Sequence, residues 1–206
     1  LALAVYVSEY LPSDKRARVL GVLELFEGIP TVVFGYFALL FVTPLLQKVI
    51  PGLSLFNPLS AGLVMGFAIL PYVSNVAADA MQSVPRSIRE AAYALGARPY
   101  EVALTVVLPA ALSAVIAAII LAASRPIGET MIVAIAAGQR PTLTLDPRET
   151  IATMTSYIVQ AATGDQPTGS TAYYALFAVG FTLFLLTLAL NVLAQYIVER
   201  YRERYE

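Results

Sequence analysis

Arg125 and Glu129 are the two residues of this chain best suited to act on a charged ligand. They interrupt the otherwise uncharged stretch "AASRPIGETMIVA", and their spacing of one helical turn would place both on the same helix face. A guanidinium offers a fork of N–H donors to an oxyanion. Beside a carboxylate it can also form a salt bridge that holds a helix to its neighbours, and the two roles are compatible.

The surroundings of this pair favour a functional role. A charged residue at the centre of a membrane helix costs ~2.5–3.5 kcal/mol on insertion scales, so the pair must gain from each other, from a water-filled path or from an anion. Pro126 and Gly128 loosen the helix and free backbone groups to line a cavity. A helix that enters the membrane at Pro109 would carry Arg125 about 24 Å along its axis, into the outer half.

A second distinctive segment is "EAAYALGARPYEVALTVVLP", residues 90–109, which lies between two apolar stretches. Pro85 suits the first turn of a helix, and the alanines after it favour a helix over 86–95. Gly96 then predicts a stop, followed by a turn and a second helix over 100–108. The segment is therefore predicted to form two short helices in a charged loop.

This loop has the surface chemistry of a docking site. Its small side chains leave shallow relief into which a partner could pack, and its charges could make contacts at the rim. An amphipathic connector that rests on the lipid surface is the alternative. The small residues are Ala91, Ala92 and Gly96, and the rim residues are Arg86, Arg89, Glu90 and Glu101.

The composition places these segments in a membrane protein. The 206 residues are 58% hydrophobic and 13% charged, with a mean hydropathy of +0.73, which is too apolar for an ordinary soluble domain. The balance of 13 basic and 14 acidic residues offers no basic surface for nucleic acid. Because the chain has no Cys and no His, disulfides, thiolate zinc sites and imidazole catalysis are excluded. We expect no catalytic residue and no metal site.

Apolar runs predict the architecture. About 20 apolar residues are needed to cross ~30 Å of hydrocarbon, and only helices suit these runs. We expect one all-α domain over 1–206, a polytopic transmembrane helix bundle that is N-terminally truncated. The predicted spans are 28–46, 58–78, 110–138 and 172–198, with 1–8 as the end of a further, truncated span.

Positive charge predicts the orientation, because Lys and Arg in short loops stay on the cytoplasmic side. Three segments are rich in these residues, and four spans would bring them to one side. We therefore expect the 82–109 loop and the C-terminus in the cytoplasm, and the loops 47–57 and 139–171 outside. The cations are Lys15, Arg16 and Arg18; Arg86, Arg89 and Arg98; and Arg200, Arg202 and Arg204.

Three other features carry weaker predictions. Glu24 and Glu27 lie on one face of "VLGVLELFEG", which favours an interfacial helix over an intramembrane acid pair. Asp79, near a cytoplasmic helix end, is a possible gate or a helix-end group. The segment 146–162 has helical spacing and is predicted to lie at the external surface.

The spacing in the charged loop matches a known family. After Glu90-Ala91-Ala92, Gly96 stands six positions from Glu90, and Val106, Leu108 and Pro109 stand at sixteen, eighteen and nineteen. This resembles the EAA loop of permease subunits in binding-protein-dependent ABC importers, with Val106 in a place usually held by Ile or a similar residue. The resemblance implies the ABC importer permease fold and makes 82–109 a coupling loop that docks on a cytoplasmic ATP-hydrolysing subunit. The implied docking residues are Arg86, Arg89, Glu90, Ala91, Ala92, Gly96, Leu108 and Pro109.

The charged pair narrows the resemblance. "RPIGETM" is similar to the Arg-x-x-Gly-Glu-Thr stretch of permeases in the high-affinity phosphate importer, especially the PstC type, although Pro126 stands where members commonly have Ala. "VYVSEYLP", "GIPTVVFGYFAL" and "SVPRSIREAAYALGA" are similar too. The resemblance implies that Arg125, Glu129 and Thr130 lie on the phosphate path, with Glu129 restraining Arg125 or checking the protonation of the ligand.

The resulting expectation is a permease subunit in the cytoplasmic membrane that moves inorganic phosphate by alternating access. The chain has no GxxxxGK[ST] cradle, so it should bind no cofactor, and ATP should be hydrolysed by a partner. The implied partners are ATP-binding cassette subunits, a PstA-like second permease, an extracytoplasmic phosphate-binding protein and membrane lipid, with no nucleic acid.

Other functions compete with this expectation. A permease for another oxyanion, such as molybdate or sulfate, fits the loop equally well, and a non-transporting scaffold fits it less well. An intramembrane protease would need a catalytic pair, and Asp79, Asp146 and Asp165 are not suitably placed to form one.

Overall fold

The structure is a computed structural model that describes residues 1–164 and 167–201, without the side chains of Ala194 and of residues 198–201. Asp165, Arg202 and Arg204, which carry predictions from the sequence, lie outside the described residues, and so does the side chain of Arg200.

All the regular structure in these ranges is helical, which confirms the all-α prediction. Three helices continue directly into π-helical turns, in which hydrogen bonds reach one residue further than in an α-helix. The α-helices are α1 (Ala2–Val5), α2 (Ser13–Glu27), α3 (Thr31–Phe37), α4 (Thr43–Gln47), α5 (Pro58–Gln82), α6 (Arg86–Ala94), α7 (Pro99–Glu101), α8 (Leu108–Ala110), α9 (Leu112–Gly128), α10 (Met131–Ala136), α11 (Met154–Thr163) and α12 (Thr171–Tyr201). The π-helical turns are π1 (Tyr6–Tyr10), π2 (Ala38–Val42) and π3 (Val102–Val107).

Two helices are long and apolar enough to cross a membrane, judged by length and composition. They are Pro58–Gln82 and the Thr171–Ile197 part of α12, with mean hydropathies of 1.6 and 2.3. Two bent pairs of helices would bring the number in the described residues to four. These pairs are Ser13–Glu27 with Thr31–Gln47, bent by 78°, and Pro99–Ala110 with Leu112–Gly128, bent by 71°.

The segment predicted as one span over 110–138 is not continuous. The chain bends just before Leu112, and it leaves the helical conformation at Glu129 and Thr130, between α9 and α10. Pro126 and Gly128 stand in the last turn of α9 and weaken it. The estimate of the depth of Arg125, which assumed a straight helix from Pro109, therefore does not apply.

The segment 146–162 also differs from its prediction, because only Met154–Thr163 is helical. Before α11 the chain makes a turn at Pro147 and Arg148, which is held by main-chain bonds from the loop before α5 and from the first turn of α5. The N–H of Ser54 donates to the carbonyl of Arg148 over 3.0 Å, and the N–H of Leu59 donates to that of Pro147 over 3.3 Å. These long-range bonds override the local helical spacing.

The chain forms two compact units. Among the described residues, the first contains 1–28, 69–124 and 190–201, and the second contains 29–68, 125–164 and 167–189. In the first unit, a buried cluster of small and medium apolar side chains joins α1, the end of α5, π3 and the start of α9. It contains Ala4, Val7, Ala77, Ala78, Met81, Val84, Val102, Val107, Ala111 and Val115.

The second unit is centred on α3 and α10. A Cβ added to Gly35 would lie 3.0 Å from the Ile135 side chain and 3.2 Å from the Met131 carbonyl oxygen, so glycine is what allows this close approach of the two helices. Apart from Phe34, the buried cluster here is again made of small and medium residues: Ala38, Ala61, Val64, Ile132, Val133, Ala136 and Ala137.

Large apolar side chains lie on the outside of both units. Leu25 and Leu104 in the first unit and Phe41 and Phe181 in the second are all more than half exposed. Alanine and valine make up most of the two buried clusters. This arrangement is the one expected of helices surrounded by lipid, in which small residues provide the close helix contacts.

Candidate functional site

The predicted charged pair lies at the break between α9 and α10. Arg125 is exposed in the last turn of α9, where a cation is favoured by the helix dipole. Glu129 and Thr130 follow the helix and are half-buried. The two residues therefore stand on either side of a helix end. Their spacing predicted that both would lie on one continuous helical face, and that prediction is wrong.

Several hydrogen bonds fix the position of Glu129 at the break between α9 and α10. Its Oε1 atom accepts from the main-chain N–H groups of Met131 over 3.1 Å and Ile132 over 3.4 Å. Its carbonyl oxygen accepts from the Thr155 hydroxyl over 2.9 Å, and its N–H donates to the carbonyl of Pro126 over 3.1 Å. The side chain thus satisfies the first free donors of α10, while the main chain ties α9 to α11.

A cavity of about 330 Å³ lies beside Glu129 within the second unit. One wall is the end of α9, a second is the start of α11, and a third comes from α12. Its lining combines the Glu129 carboxylate and two hydroxyl groups with apolar side chains, a composition typical of small-ligand sites. The lining residues are Pro126, Ile127, Glu129, Ala152, Thr153, Met154, Thr155, Leu183 and Leu186.

The predicted two-helix structure of the charged loop is present as α6 and as the continuous run from α7 to α8. Gly96 ends α6 with φ of +85°. The N–H of Gly96 donates to the Tyr93 carbonyl over 2.9 Å, and the N–H of Ala97 donates to the Ala92 carbonyl over 3.2 Å. This is a Schellman motif, in which a left-handed residue satisfies the last carbonyls of the helix.

Most of the predicted docking residues are available to a partner. Arg86, Glu90, Ala91, Gly96 and Pro109 are exposed, whereas Ala92 and Leu108 are half-buried. Apolar groups extend the same surface, since Leu95 is 90% exposed and Tyr93 and Tyr100 are each nearly half exposed. Glu101, predicted as a rim residue, instead accepts from the N–H of Arg98 over 2.7 Å.

Arg89 differs from the other docking candidates because its guanidinium points into the first unit. It pairs with Glu9, with Nη2 to Oε1 over 3.1 Å and Nε to Oε2 over 3.2 Å. The two side chains are only 17% and 8% exposed. The structure therefore gives Arg89 an internal contact and leaves the rim of the loop to Arg86 and Glu90.

Sequence reasoning did not single out Glu9 or Thr155. Glu9 is 80 positions from Arg89, so no local spacing connects the two. Thr155 follows Glu129 by 26 positions, and the sequence did not distinguish its hydroxyl from the others of the predicted outer loop.

Asp79, the predicted gate, is exposed in the last turn of α5, and the gating role remains a prediction.

Comparison with known proteins places this architecture in a family. The model of the family "Binding-protein-dependent transport system inner membrane component" matches residues 2–203. The chain is 30% identical over 200 residues to the probable ABC transporter permease protein YqgH of Bacillus subtilis, covering 97% of this chain and 64% of that protein. It is 32% identical over 222 residues to the phosphate transport system permease protein PstC of Xylella fastidiosa, covering 97% and 67%. The chain thus spans about two thirds of the length of these relatives.

A solved structure shows the same fold. The inward-facing MetNI methionine ABC transporter is similar with a TM-score of 0.69 and 16% sequence identity, covering 98% of this chain and 85% of that one. The sequence match over nearly the whole chain and this likeness of fold agree with the helical architecture described above. The chain belongs to the family of inner membrane components of binding-protein-dependent transport systems.

Proposed function

We propose that this chain is the permease subunit of an ATP-driven importer that moves inorganic phosphate across the cytoplasmic membrane by alternating access. The observation that carries the proposal is the break between α9 and α10, where Arg125 precedes a carboxylate that lines a cavity. Non-helical backbone at membrane depth is tolerated where it is buried in protein or lines a cavity, and transporters commonly bind substrate at broken helices.

The chemistry of the break suits phosphate. Arg125 offers charged N–H donors to the phosphate oxygens, and the Thr130 hydroxyl is close in sequence. Glu129 offers an acceptor to a P–OH group, which phosphate retains at neutral pH and sulfate lacks. The similarity to a phosphate permease supports the same substrate class, and the carboxylate provides a reason for discrimination against fully ionised oxyanions.

The energy source and the partners follow from the same assignment. The sequence has no phosphate cradle of the GxxxxGK[ST] type, so ATP hydrolysis is assigned to two ATP-binding cassette subunits and no cofactor to this chain. We assign docking on these subunits to the exposed surface of α6 and Gly96, and with it a cytoplasmic position to the 82–109 loop and to the C-terminus. A PstA-like second permease and an extracytoplasmic phosphate-binding protein complete the transporter, with Asp79 as a candidate gate.

Uptake of radiolabelled phosphate tests the substrate assignment, in cells that depend on the complete transporter. We expect Arg125→Ala and Glu129→Ala to lower uptake about tenfold or more, since a hydrogen bond to a charged group contributes about 1.5–3 kcal/mol. Arg140→Ala removes another exposed arginine of the second unit and should leave uptake unchanged. Normal uptake in both site variants, or equal competition by sulfate or molybdate, would count against the assignment.

Co-purification tests the docking surface. Glu90→Lys reverses a charge on the exposed face of α6 and should release the ATP-hydrolysing subunit from the permease. Glu24→Lys makes the same change at an exposed site of α2 and serves as the control. Equal recovery of the ATP-hydrolysing subunit with both variants would contradict docking at α6.

A further inference from the structure

The ion pair between Arg89 and Glu9 joins two segments that are distant in sequence. Two guanidinium nitrogens of Arg89 face the two carboxylate oxygens of Glu9 over 3.1 and 3.2 Å, the forked geometry that arginine makes and lysine cannot. Ser8 adds a hydrogen bond from its hydroxyl to Glu9 Oε1 over 2.7 Å. Arg89 is on α6 and Glu9 is on π1, so the pair fixes the docking helix to the N-terminal segment.

The same guanidinium also holds the end of α5. Its Nη2 donates to the carbonyl of Met81 over 2.7 Å, and its Nη1 donates to that of Val84. These carbonyls belong to the last turn of α5 and to the short connection before α6. One side chain therefore contacts three segments of the first unit.

Arg16 fixes the other side of the N-terminal segment. Its Nε donates to the carbonyl of Val7 over 2.9 Å, and its Nη2 donates to those of Ser8 and Leu11. π1 is thereby held at its C-terminal end as well as through Glu9. A displacement applied to Glu9 would move this segment as a whole and would not be absorbed by fraying of its last turn.

Apolar packing alone attaches α6 weakly. No residue of α6 is buried, and only the partly buried Ile88 and Ala92 pack against the core of the first unit. Beside the packing of α6 on π3, the polar contacts of Arg89 therefore attach α6 to π1 and to the end of α5. The cavity of about 360 Å³ beside the pair, lined by Glu9, Arg16, Arg86, Arg89 and Glu90 among others, leaves room for α6 to shift once these contacts are lost.

We propose that Arg89 is a positioning residue that passes the movement of α6 to π1 and to the end of α5 when ATP binds to the docked subunit. This inference rests on the proposed function, because it requires an ATP-hydrolysing partner on α6. Arg86 and Glu90 make the contact with that partner, while Arg89 and Glu9 keep α6 and the N-terminal segment moving as one body.

Spin labels test this movement in the complete complex. The chain has no cysteine, so Ser87→Cys on α6 and Tyr6→Cys on π1, both at exposed positions, give a unique label pair. With no further substitution, we expect the label distance to be the same without nucleotide and with ATP trapped. With Glu9→Gln or Arg89→Lys added, the distance should change or its distribution broaden on ATP binding.

Transport measurements on unlabelled complexes in vesicles complete the test. We expect Glu9→Gln and Arg89→Lys to retain ATP hydrolysis and co-purification with the ATP-hydrolysing subunit. The phosphate moved per ATP should fall about tenfold, a factor that corresponds to a typical coupling free energy between two sites. Arg18→Gln, which removes an exposed arginine from α2, should behave like the unsubstituted protein. Because Arg89→Lys keeps the positive charge, it provides the milder variant should Glu9→Gln fail to assemble.

The possible failures are distinct. Variants that lower thermal stability but keep both the label distance and the phosphate moved per ATP would show that the pair only stabilises the fold, and would overturn the inference. A complex of the unsubstituted protein that hydrolyses ATP but takes up no phosphate would overturn the substrate assignment. The label distances in the Glu9→Gln and Arg89→Lys variants would still decide the role of Arg89.

Discussion

Glu129 accepts a hydrogen bond at Oε1 from the main-chain N–H of Met131, 3.1 Å away. The same oxygen faces the N–H of Ile132 over 3.4 Å, and the residue lines the cavity of the second unit. The carboxylate therefore has two possible roles, one as an acceptor that stabilises the start of α10 and one as a negative charge beside a ligand. Substitutions that remove these properties separately can distinguish the roles.

Glu129→Gln should preserve stability better than Glu129→Ala. Gln keeps an oxygen that can accept from Met131 and Ile132, whereas Ala leaves both donors without it, and the loss of such a helix-terminal acceptor costs about 1 kcal/mol. Thermal unfolding of the purified protein in detergent measures this difference. Phosphate uptake measures the other role, and we expect both variants to be impaired because both lack the charge. Equal stability of the Gln and Ala variants would contradict the capping role.

Gly96→Ala should destabilise the protein through the backbone alone. The φ of Gly96 is +85°, and a left-handed conformation costs a residue with a Cβ roughly 1–2 kcal/mol. A Cβ built at this position meets no atom within 4 Å, so no steric penalty is added. We expect a lower unfolding midpoint and faster hydrogen exchange at the end of α6.

Gly21→Ala provides the matched control for this prediction. Gly21 is in α2 of the same unit and also has open space around a built Cβ. Because Ala is favoured over Gly inside a helix by roughly 0.5–1 kcal/mol, this variant should be slightly more stable. A fall in stability of the same size at both positions would show that the left-handed backbone is not the cause.

The features that sequence could predict are those set by neighbours in the chain. The stop of α6 at Gly96 follows from a residue type with a local preference, and the all-α architecture follows from apolar runs that lipid forces into helices. Pro147 and Arg148, before α11, were predicted to be helical from local spacing, but main-chain bonds from Ser54 and Leu59, far earlier in the chain, hold them in a turn. Local spacing carries no information about such bonds.

The candidate site likewise contains residues that the sequence could predict and contacts that it could not. Arg125 and Glu129 were found because charges in an apolar run are expensive, and Pro126 and Gly128 indicated weakness in the helix. The break itself depends on Thr155 and on the side chain of Glu129 folding back on α10. Arg89 was assigned to the rim of the loop because its partner, Glu9, is brought to it only by the packing of the first unit.

The exposed pair of Asp146 and Arg148 gives a prediction about pH. Side-chain and main-chain hydrogen bonds from Arg148, with a smaller coulombic contribution, lower the pKa of Asp146 from 3.8 to about 2; the Arg148 Nη2 to Asp146 Oδ2 distance is 2.7 Å. A carboxyl with a lowered pKa in the folded state stabilises that state above its unfolded pKa, and the effect is lost as pH falls from about 4 to about 2. The local structure of this loop should therefore not respond to changes of pH near neutrality.

The pH dependence of the Asp146 carboxyl carbon chemical shift, followed by NMR, gives the pKa of Asp146 and tests this prediction directly. Arg148→Ala removes the side-chain donor and should raise the pKa of Asp146 towards 3.8, its ordinary value. Arg140→Ala removes another arginine of the same loop without removing these hydrogen bonds and should have a much smaller effect. Titration of Asp146 at its ordinary value in the unsubstituted protein would contradict the pairing.

Gly138→Ala should lower the stability of the protein more than Gly96→Ala, because both the left-handed backbone and the lack of space for a Cβ disfavour alanine there. Its φ is +94°, and a built Cβ would collide with the Thr150 Cγ2 atom and lie 3.1 Å from the Phe56 Cβ atom. Overpacking of this kind typically costs about 1–3 kcal/mol beyond the backbone strain. Thermal unfolding should show the larger loss at Gly138, while Gly180→Ala, in α12 with open space around a built Cβ, should not destabilise the fold.

Thr150→Ser offers a way to separate the two causes. Serine lacks the Cγ2 atom in the collision but keeps a hydroxyl that can donate to the Phe56 carbonyl, as Thr150 does over 2.9 Å. In the double variant with Gly138→Ala, we expect part of the lost stability to return while the backbone contribution remains. The interaction between the two substitutions in a double-mutant cycle measures the steric part. Strictly additive effects would mean that Thr150 does not limit the space at Gly138, and the penalty would then belong to the left-handed backbone and to Phe56.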